Sequence, residues 1–366
     1  MAPSPHQEAG WQLFGAANVM FRPRTVLIIG NFLSAAGGSR GVCEELAERL
    51  PALGWRVLTT SNRRAKLFRL ADMLLTAVKH RRQYAVAQVD VFSGPAFLWA
   101  EAAANTLRRL DKPFVLTLHG GNLPSFAARW PGRTRRLLAS ARAVTAPSRY
   151  LQETLAPYCP HIRVIPNAID LARYPYRERT SARPKLVWVR AFHEVYNPVM
   201  AVKVAGALAR NYPEVSLAMA GPDKGDGSFQ RTQAEVAATG LEGRVRFLGQ
   251  VSKRDVPGVL SGADVFLNTA NADNMPVSVV EALACGLCVV TTNVGGIPFL
   301  VRHEQEALLV PPCSVAEMAG ATRRVLEQDG CSRSLSQKAR TAASAYDSAR
   351  VVPAWNDLLA SLPSLP

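Results

Sequence analysis

Short apolar runs that stop at a glycine or a polar residue recur along this chain, each followed by a longer stretch with helical spacing of apolar positions. The runs lie at residues 26–30, 56–60, 86–91, 114–118, 143–146 and 163–165, then at 186–189, 216–220, 245–248, 265–268 and 288–292. The first, at 26–30, is apolar rather than alternating and reads as a strand buried on both faces, and the helices between the runs imply right-handed βαβ crossovers. An Arg- and Pro-rich polar stretch at 173–184 interrupts the series and reads as an interdomain connection. The expected fold is α/β, with two Rossmann-like domains facing a cleft: 1–176, then 177–344. A last amphipathic segment within 345–366, carrying Trp355, Leu358 and Leu359, is expected to pack back on the first domain. A chain of 366 residues is long enough to bury two cores of this kind.

Charge is unevenly spread. Residues 1–176 carry 23 Lys/Arg against 10 Asp/Glu, whereas residues 177–366 carry 20 against 18. A basic first half points to an anionic surface or substrate there. Nucleic acid is disfavoured, because aromatic residues do not interleave with the basic ones and no reader motif is present. A segment at 63–82 mixes helically spaced apolar residues with basic ends and suits an anionic membrane face, with Phe68 and Leu74 toward lipid and Arg63, Arg64, Arg81 and Arg82 on phosphates. It reads equally as a core-facing helix with a solvated basic face. No run reaches the roughly 18 apolar residues of a membrane span, and the N-terminus has no secretion-signal pattern. The six cysteines lack framework spacing. A cytoplasmic protein, peripheral at the inner membrane face, is the expectation. Cys285-x-x-Cys288 lies in an apolar segment where small thiols pack.

Chemistry concentrates where these strands end. The stretch from Asp273 to Gly296 sets Asp273 in a loop and Glu281 eight residues on in an apolar helix, followed by a buried strand and the Gly295-Gly296 turn. Carboxylates at the carboxyl edge of a parallel sheet accept hydrogen bonds from sugar and ribose hydroxyls as naturally as they do acid/base work. Asp273 reads also as a helix cap. Glu281, among Val279, Val280 and Leu283, needs a polar partner if buried. Arg190 ends a strand, where a guanidinium grips a diphosphate or simply meets solvent. His119 precedes Gly120-Gly121 at another strand end, a cleft position. Gly37-Gly38 joins a strand to a helix, as a phosphate or acceptor loop or as a plain tight turn. The nicotinamide fingerprint Gly-x-Gly-x-x-Gly is absent there.

These residues resemble the GT-B glycosyltransferases of family 4, whose usual motif is Glu-x7-Glu. The match rests on Asp273-x7-Glu281, Gly286, Gly295-Gly296, Pro166-Asn167, Ala146-Pro147-Ser148 and Gly37-Gly38. The resemblance implies a retaining glycosyltransferase that moves a hexose-type sugar from a nucleoside diphosphate sugar to a saccharide or lipid-linked acceptor, with no metal or other cofactor. By position, Glu281 would hold the ribose. Asp273 with Met275, Pro276 and Val277 would hold the donor sugar, Arg190 and Asn197 the diphosphate. His119 would lie near the transferred sugar, and Gly37 and Gly38 near phosphate or acceptor. Two departures stand out: Asp273 replaces the first glutamate, and the lysine usual a few residues after the arginine is missing from Arg190-Ala-Phe-His-Glu-Val-Tyr-Asn197. The second departure admits another reading, a catalytically weakened protein that binds sugar nucleotide or assists a partner enzyme.

Overall fold

The computed structural model describes residues 24–33, 41–63 and 65–362; Gly37, Gly38 and Arg64 lie outside them. Two six-stranded sheets carry the fold. The first contains β1 (Arg24–Ile29), β2 (Trp55–Thr60), β3 (Val86–Val91), β4 (Phe114–Leu118), β5 (Ala143–Ala146) and β6 (Ile162–Val164), in the order β2-β1-β3-β4-β5-β6. The second contains β7 (Lys185–Val189), β8 (Ser216–Ala220), β9 (Val245–Gly249), β10 (Val265–Asn268), β11 (Cys288–Thr292) and β12 (Ala307–Val310), in the order β12-β11-β10-β7-β8-β9. Every pairing is parallel. Strands β4, β10 and β11 are buried along their whole length, which is why their sequences are apolar without alternation.

Strand order reverses between β1 and β3 in the first sheet and between β7 and β10 in the second. Loops on either side of such a reversal diverge and leave a crevice at the carboxyl edge. The chain crosses between the sheets twice, and the two crossings pair: Ile169 N–H donates to Tyr346 O (2.9 Å) and Ser348 N–H to Ile169 O (2.7 Å). After the second crossing, the helix Ser348–Ser361 lays Val351, Trp355, Leu358 and Leu359 against Val26, Ile28 and Trp55 of the first sheet. Trp55 Nε1 donates to Asn356 Oδ1 (3.0 Å), which fixes the helix on the sheet.

At least three elements escape the sequence reading: the helix Ser228–Ala238, strand β12 and the helix Cys331–Ala343. Strand β12 is only Ala-Leu-Leu-Val behind a polar turn. The helix Cys331–Ala343 buries Ser332, Leu335, Ser336, Ala339 and Ala343, a stripe too small and polar to register as hydrophobic periodicity. Its two buried serines donate to carbonyls of distant segments, Ser336 Oγ to Gly286 O (2.7 Å) and Ser332 Oγ to Thr180 O (3.3 Å).

The 173–184 stretch is not a free connector. Asp264, fully buried at the start of β10, receives Arg183 through its backbone N–H (3.0 Å) and Nε (2.8 Å), and Arg177 through Nη2. Buried Arg179 donates to Ala263 O (2.9 Å) and Cys285 O. Burial works against the Asp264 carboxylate, but the hydrogen bonds from Arg183 and Arg177 outweigh it and hold its pKa below the usual value. Removing one member of such a set strands the opposite charges. Asp264→Asn is therefore expected to lower unfolding free energy by on the order of 3 kcal/mol, measured by urea unfolding at neutral pH. Because the folded-state pKa is depressed, this stabilisation is present above the ordinary carboxylate range and lost as pH falls through the folded value. The gap between wild type and variant should close on acidification; equal stability at neutral pH contradicts the assignment.

Candidate active site

Arg190 leaves β7 and Asp273 lies in the loop after β10, so the second sheet's strand reversal brings them together. Their side chains form an ion pair, both largely buried. Arg190 Nη2 and Asp273 Oδ2 face each other across the pair, while Arg190 Nε has no hydrogen-bond partner among the described residues. The guanidinium also lies over the Tyr196 ring, 4.5 Å from its centroid. Burial pulls the Arg190 pKa below its usual value, against the pull of Tyr196 and Glu281. A buried cation with an unmet donor is the arrangement expected where a polar ligand binds. Asp273 borders a cavity of about 370 Å³ between the domains, shared with Gly120 and Gly121 of the first and His193, Tyr196 and Lys224 of the second.

The Asp273–Met275 loop is pinned from three directions. Gly296 N–H donates to Asp273 O (3.0 Å), and a Cβ on Gly295 or Gly296 would collide with the carbonyl of Asp273 or Asn274. The Gly-Gly turn is therefore a packing requirement of this loop. Ser148 Oγ donates to Asn274 Oδ1, and Asn167 Nδ2 to Met275 O (3.4 Å). Gly121 leaves its missing side chain's space to the Asp273 backbone, 3.3 Å from where a Cβ would stand. The Pro147-Ser148, Pro166-Asn167 and His119-Gly120-Gly121 segments of the first domain thus all meet one loop of the second. Asp273 is not a helix cap: Pro276 holds that position for the helix Val277–Ala284, while Asp273 Oδ1 accepts the Asn274 N–H (2.8 Å).

Glu281 sits in that helix with 2% of its surface exposed. Tyr174 OH (2.5 Å) and Lys253 Nζ both donate to its Oε1. Among the described residues nothing donates to Oε2. Neither partner was legible in the sequence, since each comes from a loop remote along the chain. Burial and the neighbouring Glu281 push the Tyr174 hydroxyl well above its usual pKa, so it stays a donor.

On the first domain, His119 Nε2 meets Asp90 Oδ1 at 3.0 Å, and its ring stacks on Phe92 at 5.0 Å. A carboxylate only accepts, so the ring proton lies on Nε2. Gln88 Nε2 donates to both Asp90 Oδ1 and Thr117 Oγ1 (2.8 Å each), holding the acid in turn. Asp90 was missed; a carboxylate inside the buried strand β3 was its signal. Asn197 takes a left-handed backbone (φ 46°) before the helix Pro198–Ala209, and its amide donates to Asn271 Oδ1 (3.4 Å). It shapes the turn and does not border the cavity. Cys285 and Cys288 are buried, with burial pushing their thiols up to about 11 and about 12.

Two parallel Rossmann-like sheets meeting across such a cleft define the GT-B architecture. Residues 177–342 match the family described as glycosyl transferases group 1, and residues 36–173 match glycosyltransferase family 4. The chain belongs to this family of glycosyltransferases. It is similar to D-inositol 3-phosphate glycosyltransferases, 26% identical in Pseudarthrobacter chlorophenolicus (61% of this chain, 56% of the relative) and 27% in Saccharomonospora viridis (71% and 64%). It thus spans about three fifths of the length of these relatives. A Bacillus subtilis glycosyltransferase named for teichuronic acid biosynthesis is 29% identical, over 71% of this chain and 66% of the relative. Among solved structures, sucrose-phosphate synthase from Thermosynechococcus elongatus shares the fold at a TM-score of 0.78 and 18% identity, covering 92% of this chain and 98% of the other. Anabaena HepE, solved with UDP-glucose, does so at 0.72 and 20% identity, covering 92% and 100%.

The Gly-Gly requirement is testable by stability. Gly296→Ala must displace Asn274 O, so unfolding free energy is expected to fall by about 1–3 kcal/mol. An unchanged denaturation midpoint contradicts the close approach.

Proposed function

We propose that this chain transfers a sugar, with retention at the anomeric carbon, from a nucleoside diphosphate sugar to a saccharide or lipid-linked acceptor in cell-surface glycan synthesis. One observation carries the reading: Arg190, Asp273 and Glu281, on loops and a helix around one strand reversal, offer a buried cation paired only with Asp273 and keeping one unmet donor, Nε, and a buried carboxylate with one uncommitted oxygen. Vicinal ribose hydroxyls suit Glu281 Oε2. The diphosphate suits Arg190, which exchanges its ion pair with Asp273 for the phosphates and thereby frees Asp273, with the backbone at Met275, Pro276 and Val277, for sugar hydroxyls. His119, held in one tautomer by Asp90, is assigned to the transferred sugar. The bond from the anomeric carbon to the phosphate oxygen breaks as the acceptor oxygen bonds on the same face. The leaving phosphate takes the acceptor proton, and Arg190 stabilises its charge. The reading calls for no cofactor or metal. UDP is the favoured nucleotide on the analogy of HepE, solved with UDP-glucose.

Arg190→Ala is expected to lower kcat for transfer or donor hydrolysis about 100-fold or more. Glu281→Ala is expected to raise the donor KM by about 10- to 100-fold. Activity unchanged in both variants overturns the reading. The missing lysine after Arg190 favours a second reading, a sugar-nucleotide-binding protein without turnover; nucleotide binding with no transfer or hydrolysis across acceptors selects it.

We propose further that the first domain meets an anionic membrane surface. The helix Lys66–Lys79 turns Arg69, Met73 and Ala77 inward and leaves Leu67, Phe68 and Leu75 82, 72 and 68% exposed, with Val78 beside them. The stripe differs from the sequence expectation at Leu74, which packs on the first domain's core. Exposed Lys66, Lys79, Arg81 and Arg82 flank it. No helix among the described residues is long and apolar enough to cross a membrane. Co-sedimentation with liposomes is expected to require anionic lipid and to weaken in Phe68→Ser/Leu75→Ser. Equal binding to neutral vesicles, or none to anionic ones, contradicts the proposal.

A further inference from the structure

A nucleoside diphosphate brings more negative charge than one guanidinium can match, and Arg190 is already opposite Asp273. Residues 191–198 contain no lysine. The neighbouring strand supplies one. Beyond the sheet edge the loops leaving β7 and β8 stay zipped: Arg190 N–H donates to Ala220 O (3.0 Å), Phe192 N–H to Pro222 O (2.9 Å) and Lys224 N–H to Phe192 O (3.2 Å). Phe192 and Asp223 thereby form a parallel bridge outside the named strands. Phe192 anchors the pair from below, fully buried against Trp188, Phe229 and Phe247. Lys224 is thus tied to the very loop that lacks a lysine, and it borders the cavity that holds His193, Tyr196 and Asp273.

Its ammonium has no hydrogen bond or ion pair among the described residues. The nearby acids are committed elsewhere. Asp223 accepts the Gly225 N–H (2.8 Å), and Asp226 accepts Glu194 N–H (2.8 Å), Ser228 N–H (3.0 Å) and Ser228 Oγ (2.9 Å). A lysine suits this task because its four-carbon stem swings three donors toward a phosphate without a fixed geometry. We infer that Lys224 supplies the second positive charge for the donor's diphosphate. The inference rests on the donor-cleft reading above.

The test is calorimetric titration of the full chain, as wild type, Lys224→Met and Lys224→Arg, with UDP, UMP and uridine. Lys224→Met is expected to weaken UDP binding by about 10- to 100-fold, to weaken UMP less and to leave uridine within about twofold. Lys224→Arg should retain most of the UDP affinity. UDP affinity unchanged in Lys224→Met overturns the inference, and so does an equal loss for UDP and uridine, which marks general damage. If wild type binds none of UDP, GDP and ADP, the donor-cleft reading itself falls, a result distinct from either.

Discussion

The Arg190–Asp273 pair is the interaction on which the cleft depends. Burying two opposite charges costs several kcal/mol per ion, and their attraction offsets this only when the remaining hydrogen-bonding capacity is met. Here it is not met in full, because Arg190 Nε is left without a hydrogen bond among the described residues. A ligand that supplies acceptors to Arg190 and donors to Asp273 removes that cost. Differential affinity of this kind is what a preorganised polar site provides. The strand reversal between β7 and β10 creates the pair, since only there do two neighbouring loops diverge around a crevice.

Keeping Asp273 in place takes both domains. The Gly295-Gly296 turn sits under its carbonyl, Ser148 and Asn167 hold the next two residues, and Gly121 touches its backbone. The loop proposed to hold the donor sugar is therefore also where the first domain docks. Any change in the angle between the domains reaches Asp273 directly, through hydrogen bonds rather than through a diffuse interface. The polar set on the first sheet, Thr117–Gln88–Asp90–His119, fixes the opposite wall in the same manner.

Much of this could be seen in the sequence because it is local. Strands buried on both faces announce themselves as apolar runs, and eleven of the twelve were visible that way. Arg190, His119 and Asp273 stood out because each follows such a run, and Glu281 because a carboxylate inside an apolar helix demands a partner. What that partner is was not visible. Tyr174 and Lys253 reach Glu281 from loops 107 and 28 residues away, and nothing in Ser252-Lys253-Arg254 separates it from a surface turn. For Asn197 the structure shows a backbone role that the sequence reading did not include, a left-handed turn before a helix. Lys224 became meaningful only when the β7 and β8 loops were found zipped past the sheet edge.

The account turns on the Arg190–Asp273 pair opening to admit a diphosphate. The structure of the full chain with UDP or its sugar conjugate bound tests this most directly. The account predicts the phosphates on Arg190, the ribose on Glu281, and Asp273 released from the arginine onto the sugar. Nucleotide bound elsewhere, or phosphates seated in the cleft with the Arg190–Asp273 pair intact, would contradict it.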